Sequence, residues 1–391
     1  MRVLHLADPH IYLSGPRAEE CRRVIDWIAL NAREAKPTLI IISGDIFERR
    51  SSPQERIYFA ELLCALSDIA PVYIINGNHD DRDDLRLFRR EYGWIKPIEI
   101  ILEPTVLKLQ ERQDSVSMAF LPWPDLSRLA KSGAGDSIAA RREAARGALL
   151  DIVRGFRNDP GIAPDKPSLL IAHLSVTGAS MDSGQPVCGG EELALTADEL
   201  LESGAAGVAL GHIHLRQQMK GAFGRPVWYS GAPFRGSFGE ARGTKGGLIW
   251  DWNGKTKTWE VSPWEIPARS MVLIERTWIP AEDGALEPVQ EPLAADDVVR
   301  AADVRARITY PAEFREAMRA AMTPVLDAVR AVAHAVTVEE RPIIVSRTRC
   351  VELAAARTPF EKVQAWAQAV GAEVPDGAAA KLAILEAGVT S

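Results

Sequence analysis

Three short apolar runs near the start of the chain constrain its fold more than any other feature. They are Val3 to Ala7, Leu39 to Ile42 and Val72 to Ile75. Runs of this length without polar alternation are typical of strands buried on both faces. Apolar residues recur at helical spacing between them, and Ser52-Pro53-Gln54-Glu55 is a capping box with proline at the first helical position. Because crossover connections are right-handed, this order predicts a parallel sheet flanked by helices.

The alternation of strand and helix signals continues further along the chain. Alternation of apolar residues and the Asn253-Gly254 turn then indicate β-structure. The predicted elements are strands at Leu169 to Ala172 and Ala205 to Leu210, a helix from Ser137 to Arg157, and β-structure from Val227 to Trp264.

Composition excludes several classes of protein. The 391 residues are 47% hydrophobic and 25% charged, which is ordinary for a globular chain and too apolar for disorder throughout. No window approaches the roughly 18 consecutive apolar residues of a membrane helix, so we expect no membrane partner. The net charge of −7 argues against a protein that coats nucleic acid, but not against a nuclease with a locally positive site.

The cysteines and the N-terminus indicate the compartment. The four cysteines lie far apart and form no CxxC pair, which argues against a disulfide framework and a zinc knuckle. Asp8 follows the first residues too closely for a signal peptide. We therefore expect a cytoplasmic protein.

The composition shifts after about residue 268, and no Lys or Arg occurs from Thr277 to Val299. This stretch reads as a loop or linker. The signals that follow are a strand at Val304 to Tyr310, a helix at Phe314 to Ala333, strand residues at Val336, Val338 and Ile343 to Val351, a helix from Thr358 to Val370, and a helix from Asp376 to Ala387. We predict three domains: residues 1–267, a small α+β module at 268–352, and a helical tail at 353–391.

Polar residues follow the predicted strands. In order they are Asp8-Pro9-His10, Gly44-Asp45, Gly77-Asn78-His79-Asp80, His173 and Gly211-His212-Ile213-His214. Open α/β sheets place ligands at the carboxyl ends of their strands. Carboxylate, amide and imidazole groups without thiolates suit Mn²⁺, Fe or Zn²⁺. A single histidine at a strand end is more often structural, but the ordered series favours a metal site.

This series resembles the calcineurin-like metallophosphoesterase superfamily, and within it the SbcD-like nuclease subunits of DNA repair exonucleases. The resemblance to the superfamily covers about residues 1–265, and the closer kinship rests on GDIFERRSSP, GNHDD, GHIHLRQ and VWYSGAPFRGSFGE. It implies an α/β fold, a two-sheet sandwich flanked by helices, with a smaller C-terminal α+β capping module and a helical tail. Pro9 and Glu48 depart from the residues that are common in the family.

The resemblance implies two divalent metal ions. We expect the metal to be Mn²⁺. The implied ligands are Asp8, His10, Asp45 and His214 for the first ion, and Asp45, Asn78, His173 and His212 for the second. Two such ions carry +4 and the two aspartates −2, so a residual +2 would attract a phosphodiester. The ions would also lower the pKa of a water molecule between them.

His79 has no metal assigned in the family pattern, and the resemblance places it over the scissile phosphate as the catalytic residue. Asp80 could orient His79 or could cap a turn, and both readings stay open. Glu48 could support the site or face solvent. His5 and His334 fit no motif and are predicted to be structural.

Two groups of residues have both a functional and a structural reading. Six of the ten tryptophans fall between Trp228 and Trp278, and we favour a packed sheet over a platform for stacking bases. Arginines near the metal motifs could contact phosphate or form a solvated helix face: Arg49, Arg50, Arg82, Arg86, Arg89 and Arg90.

The leading hypothesis is a two-metal-dependent DNA nuclease, acting as exonuclease and single-strand endonuclease in DNA repair and recombination. The resemblance implies a homodimer and a coiled-coil, SMC-like ATPase partner (SbcC-like), docked on an apolar tail stripe that includes Phe360, Val363 and Leu385. That stripe could instead pack on this chain's own cap. The alternatives are an esterase of the same fold acting on nucleotides or other small phosphodiesters, and a metal-free scaffold.

Overall fold

The computed structural model describes residues 1–89, 95–111, 114–125, 129, 137–181, 193–221, 223–241, 243–280, 286–288, 299–343, 351–375, 377–378 and 380–382. The chain divides into two compact units. The first comprises Met1–Ile274, Ala294–Ala306 and Ala328–Thr337, and the second comprises Glu275–Leu293, Arg307–Asp327 and Val338–Ser391.

Strands and helices alternate through the first unit before β-structure dominates. The strands are β1 Arg2–Leu6, β2 Leu39–Ser43, β3 Val72–Ile75, β4 Ile98–Ile101, β5 Thr105–Glu111, β6 Asp114–Leu121, β7 Ser168–His173, β8 Ser175–Val176, β9 Ala194–Leu195, β10 Val208–Gly211, β11 Gln217–Met219, β12 Val227–Tyr229, β13 Gly246–Asn253, β14 Thr258–Glu265, β15 Met271–Pro280, β16 Leu286–Pro288, β17 Asp303–Pro311 and β18 Ala335–Ile343. The α-helices are α1 Ala18–Asn31, α2 Pro53–Ser67, α3 Arg82–Arg86, α4 Ile138–Gly155, α5 Ala197–Leu201, α6 Arg315–Val332, α7 Val351–Ala355 and α8 Pro359–Val370.

The first large sheet has the order β14-β13-β1-β2-β3-β4 among the described residues. Strands β1 to β4 are parallel, β13 pairs antiparallel with β1, and β14 pairs antiparallel with β13. Helices α1 and α2 form the crossovers from β1 to β2 and from β2 to β3. The parallel sheet predicted from the first 80 residues is therefore confirmed.

The second large sheet has the order β11-β12-β10-β7-β6-β5 within the described part of the chain. Its central strands β6, β7, β10 and β12 are parallel, and the outer strands β5 and β11 are antiparallel to their neighbours. The carboxyl ends of β7 and β10 therefore lie at one edge of this sheet, where ligand sites form in α/β folds.

The two sheets pack face to face across a shared apolar core. Val3 and Ile41 from the first sheet meet Phe120 and Ile171 from the second, and Trp250 is fully buried among them. The opposite face of the first sheet packs on α1 and α2, and that of the second packs on α4 and α5. Strands β2, β3 and β7 are covered on both faces, which is why their sequences are almost continuously apolar. The predicted two-sheet sandwich flanked by helices is confirmed.

The structure adds strands β4, β5 and β6, which the patterns above do not predict. Strands β5 and β6 form an antiparallel hairpin. Val116, Met118 and Phe120 alternate with serines and an alanine in β6, and these three side chains are buried. That alternation is the signal that could have identified the strand.

The buried tryptophans bear out the packing reading. Trp250, Trp259 and Trp278 are all buried, and the rings of Trp250 and Trp259 meet edge to face with centroids 6.3 Å apart. Aromatic rings in this arrangement stabilise a core beyond the area that they bury.

The C-terminal part is α+β, as predicted. Its sheet has the order β16-β15-β17-β18 among the described residues. In the second unit Trp278 and Tyr310 pack with Met318 and Met322 of α6. The domain boundaries at 267 and 352 stay a prediction.

The helix predicted from Thr358 to Val370 is confirmed. The side chain of Thr358 accepts a hydrogen bond from the Glu361 N–H, and Gly371 ends α8 with φ 69°. The predicted strand at 343–351 is wrong at Val351, which begins α7, and residues 344–350 lie outside the described ones. The predicted helix from Asp376 to Ala387, which includes Leu385, also falls largely outside the described residues. Arg90, one of the arginines near the metal motifs, lies outside them too. No described helix is long and apolar enough to cross a membrane.

Candidate metal centre

The polar tips of five strands converge at the carboxyl edge shared by the two sheets. Asp8 and His10 follow β1, Asp45 follows β2 and Asn78 follows β3. From the second sheet, His173 is the last residue of β7, and His212 and His214 follow β10. The structure therefore brings all seven predicted ligand residues into one cluster.

The backbone at this edge is unusual, because four of the seven residues have positive φ. The angles are 52° at Asp8, 39° at His10, 50° at Asp45 and 96° at His212. Such conformations cost about 1–3 kcal/mol each in non-glycine residues, and they cluster at functional sites. The Asp8 N–H donates to the Gly44 carbonyl at 3.1 Å and the His10 N–H to that of Asp45 at 3.0 Å, which ties the two loops together.

Glycines allow the side chains to approach the backbone closely. A Cβ on Gly44 would lie 2.2 Å from Nδ1 of His173, and a Cβ on Gly77 would lie 2.0 Å from Oδ1 of Asp45. Both distances are far inside van der Waals contact. Glycine is therefore required at these two positions for the cluster to form.

Asp8, His10 and Asp45 form the first group of potential ligands, with one donor atom from each residue within 4.8 Å of the others. Nε2 of His10 lies 3.5 Å from Oδ2 of Asp45 and 3.0 Å from Nε2 of His214. Asp8 and His10 are buried, and Oδ2 of Asp8 is buried without a hydrogen-bond partner. An orphaned carboxylate oxygen of this kind fits a bound cation.

Asp45, His173 and His212 form the second group. Nε2 of His173 lies 3.4 Å from Oδ2 of Asp45 and 3.0 Å from Oδ1 of Asn78, and Nδ1 of His212 lies 3.0 Å from that same Oδ1. Asp45 belongs to both groups, as the resemblance implies.

Acceptor oxygens beside the Nδ1 atoms of His173, His10 and His214 indicate that Nε2 of these three rings faces the centre, whereas His212 directs Nδ1 inward. Nδ1 of His173 lies 2.7 Å from the Ser43 carbonyl, which can only accept, so Nδ1 carries the proton. Nδ1 of His10 is 2.9 Å from the Glu48 carboxylate, and Nδ1 of His214 is 3.2 Å from that of Glu240. Because Nδ1 of each of these three histidines faces an acceptor, the Nε2 lone pairs point inward, as in metal-binding histidines.

The inward lone pairs face other acceptors, and this arrangement requires positive charge. Nε2 of His10 faces Nε2 of His214, and Nε2 of His173 faces the oxygens of Asp45 and Asn78. No hydrogen bond can form between two lone pairs, so a proton or a cation must lie among them. The donor set thus fits divalent metal ions bound by nitrogen and oxygen.

The pKa values of Asp45 and His173 also indicate that this centre favours positive charge. Burial opposes ionisation of Asp45, but His173 and His10 hold its pKa well below the usual range. Burial alone would lower the pKa of His173, yet the Asp45 carboxylate raises it to about 9. The aspartate is therefore ionised and available as a ligand.

Glu48 and Glu240 contact histidines of the candidate centre; the sequence analysis left the role of Glu48 open and did not identify Glu240. Glu48 is half exposed and holds His10, which also lowers the pKa of Glu48. Burial opposes ionisation of Glu240, but its contact with His214 lowers its pKa to about 2, and Nζ of Lys245 lies 3.4 Å away. Glu240 lies in the quoted SFGE motif, and this was the signal that could have identified it.

His79 lies at the open side of the cluster and is exposed. Its backbone N–H donates to Oδ1 of Asp45 at 2.9 Å, and its Nδ1 donates to the Glu48 carbonyl at 2.7 Å. Its ring lies 4.9 Å from that of His10, and His10, Glu48 and His79 form a third potential ligand group. The Glu48 backbone thus orients His79 with Nε2 directed away from that carbonyl.

Asp80 caps a turn and does not orient His79. Its carboxylate accepts hydrogen bonds from the N–H groups of Gly77 at 2.8 Å and Phe47 at 3.1 Å. Burial and the nearby Asp45 raise the pKa of Asp80 to about 6. Of the two open readings, the turn cap is confirmed.

Trp123 borders the second group and carries no sequence signal for this position. Its ring centroid lies 5.2 Å from that of His212 and 5.8 Å from that of His173. Its backbone N–H donates to the Asn76 carbonyl at 3.0 Å, which ties the loop after β6 to the end of β3. This long-range contact places the indole beside the site.

The centre opens into a cleft of about 390 Å³. Asp8, His10, His79 and His214 line it together with Arg49. The other described arginines of the predicted set bind protein groups: Arg50 pairs with Asp81, Arg82 with Glu103, Arg86 with Asp83, and Arg89 donates to the Ile100 carbonyl. The surface reading therefore holds for these four.

His5 and His334 are structural, as predicted. Nε2 of His5 lies 2.7 Å from Oγ of Ser43 in the core, and Nδ1 of His334 lies 2.9 Å from the Asp303 carboxylate. Burial lowers the pKa of His5 to about 3, so this side chain is neutral in the folded protein.

A family model for calcineurin-like phosphoesterases matches residues 1–216. The chain belongs to this family and is a metal-binding metallophosphoesterase, with two candidate ligand groups that share Asp45. Among curated proteins it is similar to the SbcD subunit of the nuclease SbcCD from Bacillus subtilis (strain 168), at 31% identity over 281 residues, which are 66% of this chain and 68% of the relative.

The solved structures that match are more distant. The protein TT1561 of Thermus thermophilus has a TM-score of 0.38 at 10% identity and covers 67% of this chain and 98% of its own. A dimetal phosphatase from Danio rerio has a TM-score of 0.40 at 10% identity and covers 64% of this chain and 91% of its own. Likenesses at this level carry no functional argument.

Proposed function

We propose that this protein is a two-metal-dependent DNA nuclease, acting as exonuclease and single-strand endonuclease in DNA repair and recombination. The observation that carries the proposal is the convergence of seven nitrogen- and oxygen-bearing side chains at an open cleft, with Asp45 common to both ligand groups. The similarity to a nuclease subunit over two thirds of both chains supports DNA as the substrate.

In this proposal Asp8, His10, Asp45 and His214 hold one divalent ion, and Asp45, Asn78, His173 and His212 hold the other. Bound divalent ions neutralise phosphoryl oxygens and lower the pKa of water, and we expect Mn²⁺ in this role. The protein's own part is to direct the Nε2 atoms of His173, His10 and His214 inward, which it achieves by placing the acceptors Ser43, Glu48 and Glu240 beside the opposite nitrogens.

His79 is the proposed catalytic residue. Its Nδ1–H is held by the Glu48 carbonyl, so Nε2 is the atom that can contact the scissile phosphate or give a proton to the leaving oxygen. Its exposure at the cleft allows contact with a substrate, which a buried ligand could not make.

We also propose a homodimer, a coiled-coil ATPase partner of the SbcC type, and a cytoplasmic setting. The support for the partner is the similarity to a subunit of an SbcCD nuclease. Val370 of the tail stripe is exposed, as is Trp366 on the same helix, and both are available for docking. Co-purification of a partner with wild-type protein but not with a Trp366→Ala variant would support this assignment.

Two substrates test the nuclease proposal. Labelled DNA and bis-p-nitrophenyl phosphate are each incubated with the protein and Mn²⁺, and we expect both to be hydrolysed. Hydrolysis of the small ester alone would favour the same fold acting on nucleotides or other small phosphodiesters. The cleft of about 390 Å³ is large enough for such a diester, so this alternative stands second.

The metal content of the protein distinguishes the two enzymatic hypotheses from the metal-free scaffold. Elemental analysis after incubation with Mn²⁺ and gel filtration should give about two metal ions per chain. Less than one ion per chain that Mn²⁺ cannot restore would favour a metal-free scaffold.

A further inference from the structure

A second groove continues from the cleft of the candidate metal centre. It has a volume of about 720 Å³ and shares Tyr12, Gly236 and Ser237 with the cleft. Its remaining walls include Arg17, before α1, and Arg305, on β17. Every residue that lines the groove belongs to the first compact unit.

The groove is positively charged although the whole chain carries −7. Its charged lining residues are Arg17, Arg305 and Asp303, so two guanidinium groups face one carboxylate. The Asp303 side chain is only 8% exposed, and it is engaged by Arg17 and by Nδ1 of His334 at 2.9 Å. Its charge is therefore neutralised within the wall of the groove.

Arg305 has a different environment from Arg17. Within the described residues no carboxylate lies at ion-pair distance from Arg305. Its guanidinium carbon instead lies 4.3 Å from the ring centroid of Phe238, and that of Arg17 lies 5.5 Å from the same ring. A stacked guanidinium keeps its N–H groups at its edge, where they can donate two parallel hydrogen bonds to a phosphate.

We propose that this groove binds the DNA strand next to the scissile bond, with Arg305 donating to a backbone phosphate. The inference rests on the proposed nuclease function and deepens it, because it makes the substrate a single strand that extends beyond the bond that is cut. Phe238 orients Arg305, and the groove leads the strand past Ser237 into the cleft. A small diester occupies the cleft alone and does not reach Arg305.

The test compares Arg305→Ala and Arg305→Lys with the control Arg154→Ala. Arg154 lies on α4 and pairs with Glu202, outside both the cleft and the groove. Binding of a fluorescein-labelled single-stranded oligonucleotide is measured by anisotropy in EDTA at several salt concentrations. Cleavage of the oligonucleotide and of bis-p-nitrophenyl phosphate is then measured with Mn²⁺.

We expect Arg305→Ala to weaken oligonucleotide binding about tenfold and to reduce the slope of log K against log[salt] by about 0.7, the value for one phosphate contact on a single strand. Arg305→Lys should restore the slope but only part of the affinity, since lysine lacks the planar fork. Turnover of the small ester should stay at the wild-type rate in both variants, and this also shows that they are folded.

The possible failures are distinguishable. If wild-type protein hydrolyses DNA and Arg305→Ala binds oligonucleotide as tightly as Arg154→Ala does, the groove inference is wrong and the proposed function stands. If wild-type protein hydrolyses the small ester but neither binds nor cleaves DNA, both are wrong. Loss of small-ester turnover in Arg305→Lys would place Arg305 in the support of the cleft and contradict the inference.

Discussion

Single side chains at the candidate centre differ in what they do, and substitutions can separate these roles. His79 is exposed at the cleft and its Nδ1 donates to the Glu48 carbonyl, whereas the seven proposed ligands are assigned to the two metal ions. A change at His79 should therefore affect turnover and not metal binding.

The His79→Ala variant tests that separation. We expect it to retain the wild-type metal content while turnover of DNA falls by about 10²- to 10⁴-fold, the range for loss of a general acid. Rates with Mn²⁺ and elemental analysis of the same preparation are the measurements. Wild-type rates would remove His79 from the mechanism, and loss of a metal ion would make it a ligand with His10 and Glu48.

Gly77→Ala tests the requirement for a bare backbone beside the shared aspartate. The added Cβ would lie 2.0 Å from Oδ1 of Asp45, so the carboxylate must move away from both ligand groups. We expect metal content and turnover to fall together while the circular dichroism spectrum is kept. The control is Gly147→Ala in α4, where a Cβ meets nothing within 4 Å and stability should rise by up to about 1 kcal/mol. Equal behaviour of the two variants would contradict the steric argument.

The buried imidazole of His5 should lower the free energy of unfolding in acid. Burial lowers its folded-state pKa from 6.5 to about 3, so the unfolded chain binds a proton more readily than the folded one. The stability that neutral His5 contributes is complete above pH 6.5 and is lost progressively as pH falls toward 3.

Urea denaturation at pH 7.5 and pH 5 measures this effect, with His5→Gln as the comparison because glutamine can keep a hydrogen bond to Ser43 without titrating. The wild type should lose about 2 kcal/mol more unfolding free energy than the variant between these pH values. The same loss in both proteins would show that His5 does not carry the effect.

At the scale of elements, the loop after β1 depends on the start of α2. Glu55 completes the capping box with Ser52, accepting its N–H at 2.7 Å, and the other oxygen of Glu55 accepts the Leu13 N–H at 3.1 Å. Glu55 is buried and holds the segment that carries Asp8 and His10. One carboxylate therefore serves both a helix cap and a loop of the site.

Glu55→Ala should accordingly cost more than Ser52→Ala. We expect about 1 kcal/mol of unfolding free energy for Ser52→Ala, the usual value for a lost N-cap. Loss of Glu55 leaves two N–H groups without their acceptor, so we expect about 2–3 kcal/mol and weaker metal binding. Denaturant midpoints and metal titration are the measurements, and equal costs would show that the contact with Leu13 contributes nothing.

At the scale of the whole molecule, metal binding should be coupled to the stability of the first unit. The proposed ligands come from strands of both large sheets, so the complete ligand set exists only when the two sheets are packed together. A ligand that binds the folded state alone stabilises it, by about 2.7 kcal/mol at a hundred times its dissociation constant.

Adding Mn²⁺ to chelator-treated protein should therefore raise the thermal midpoint, and Asp45→Ala should abolish the rise because Asp45 belongs to both ligand groups. Calorimetry with and without Mn²⁺ measures it, with Mg²⁺ as a test of metal preference. An equal rise in the variant would mean that the ions bind elsewhere. If neither metal raises the midpoint of the wild type, the result counts against the metal centre itself.

The sequence by itself determined strands β1 to β3 of the first sheet, the helices between them, and the residues of the cluster at its edge. Buried strands such as Leu39 to Ile42 and the capping box at Ser52 are local patterns, and the chemistry of Asp8, Asp45 and His173 is evident from residue type and order.

The tertiary structure alone decided how those residues are oriented and what borders them. Glu240 holds His214, the Glu48 carbonyl orients His79, and Trp123 lies beside His212 through contacts between residues 26 to 89 positions apart in the chain. Local patterns carry no information on such contacts, because they depend on how two separate sheets pack. Packing also decided that Asp80 caps a turn, since its partners include Phe47, 33 residues away.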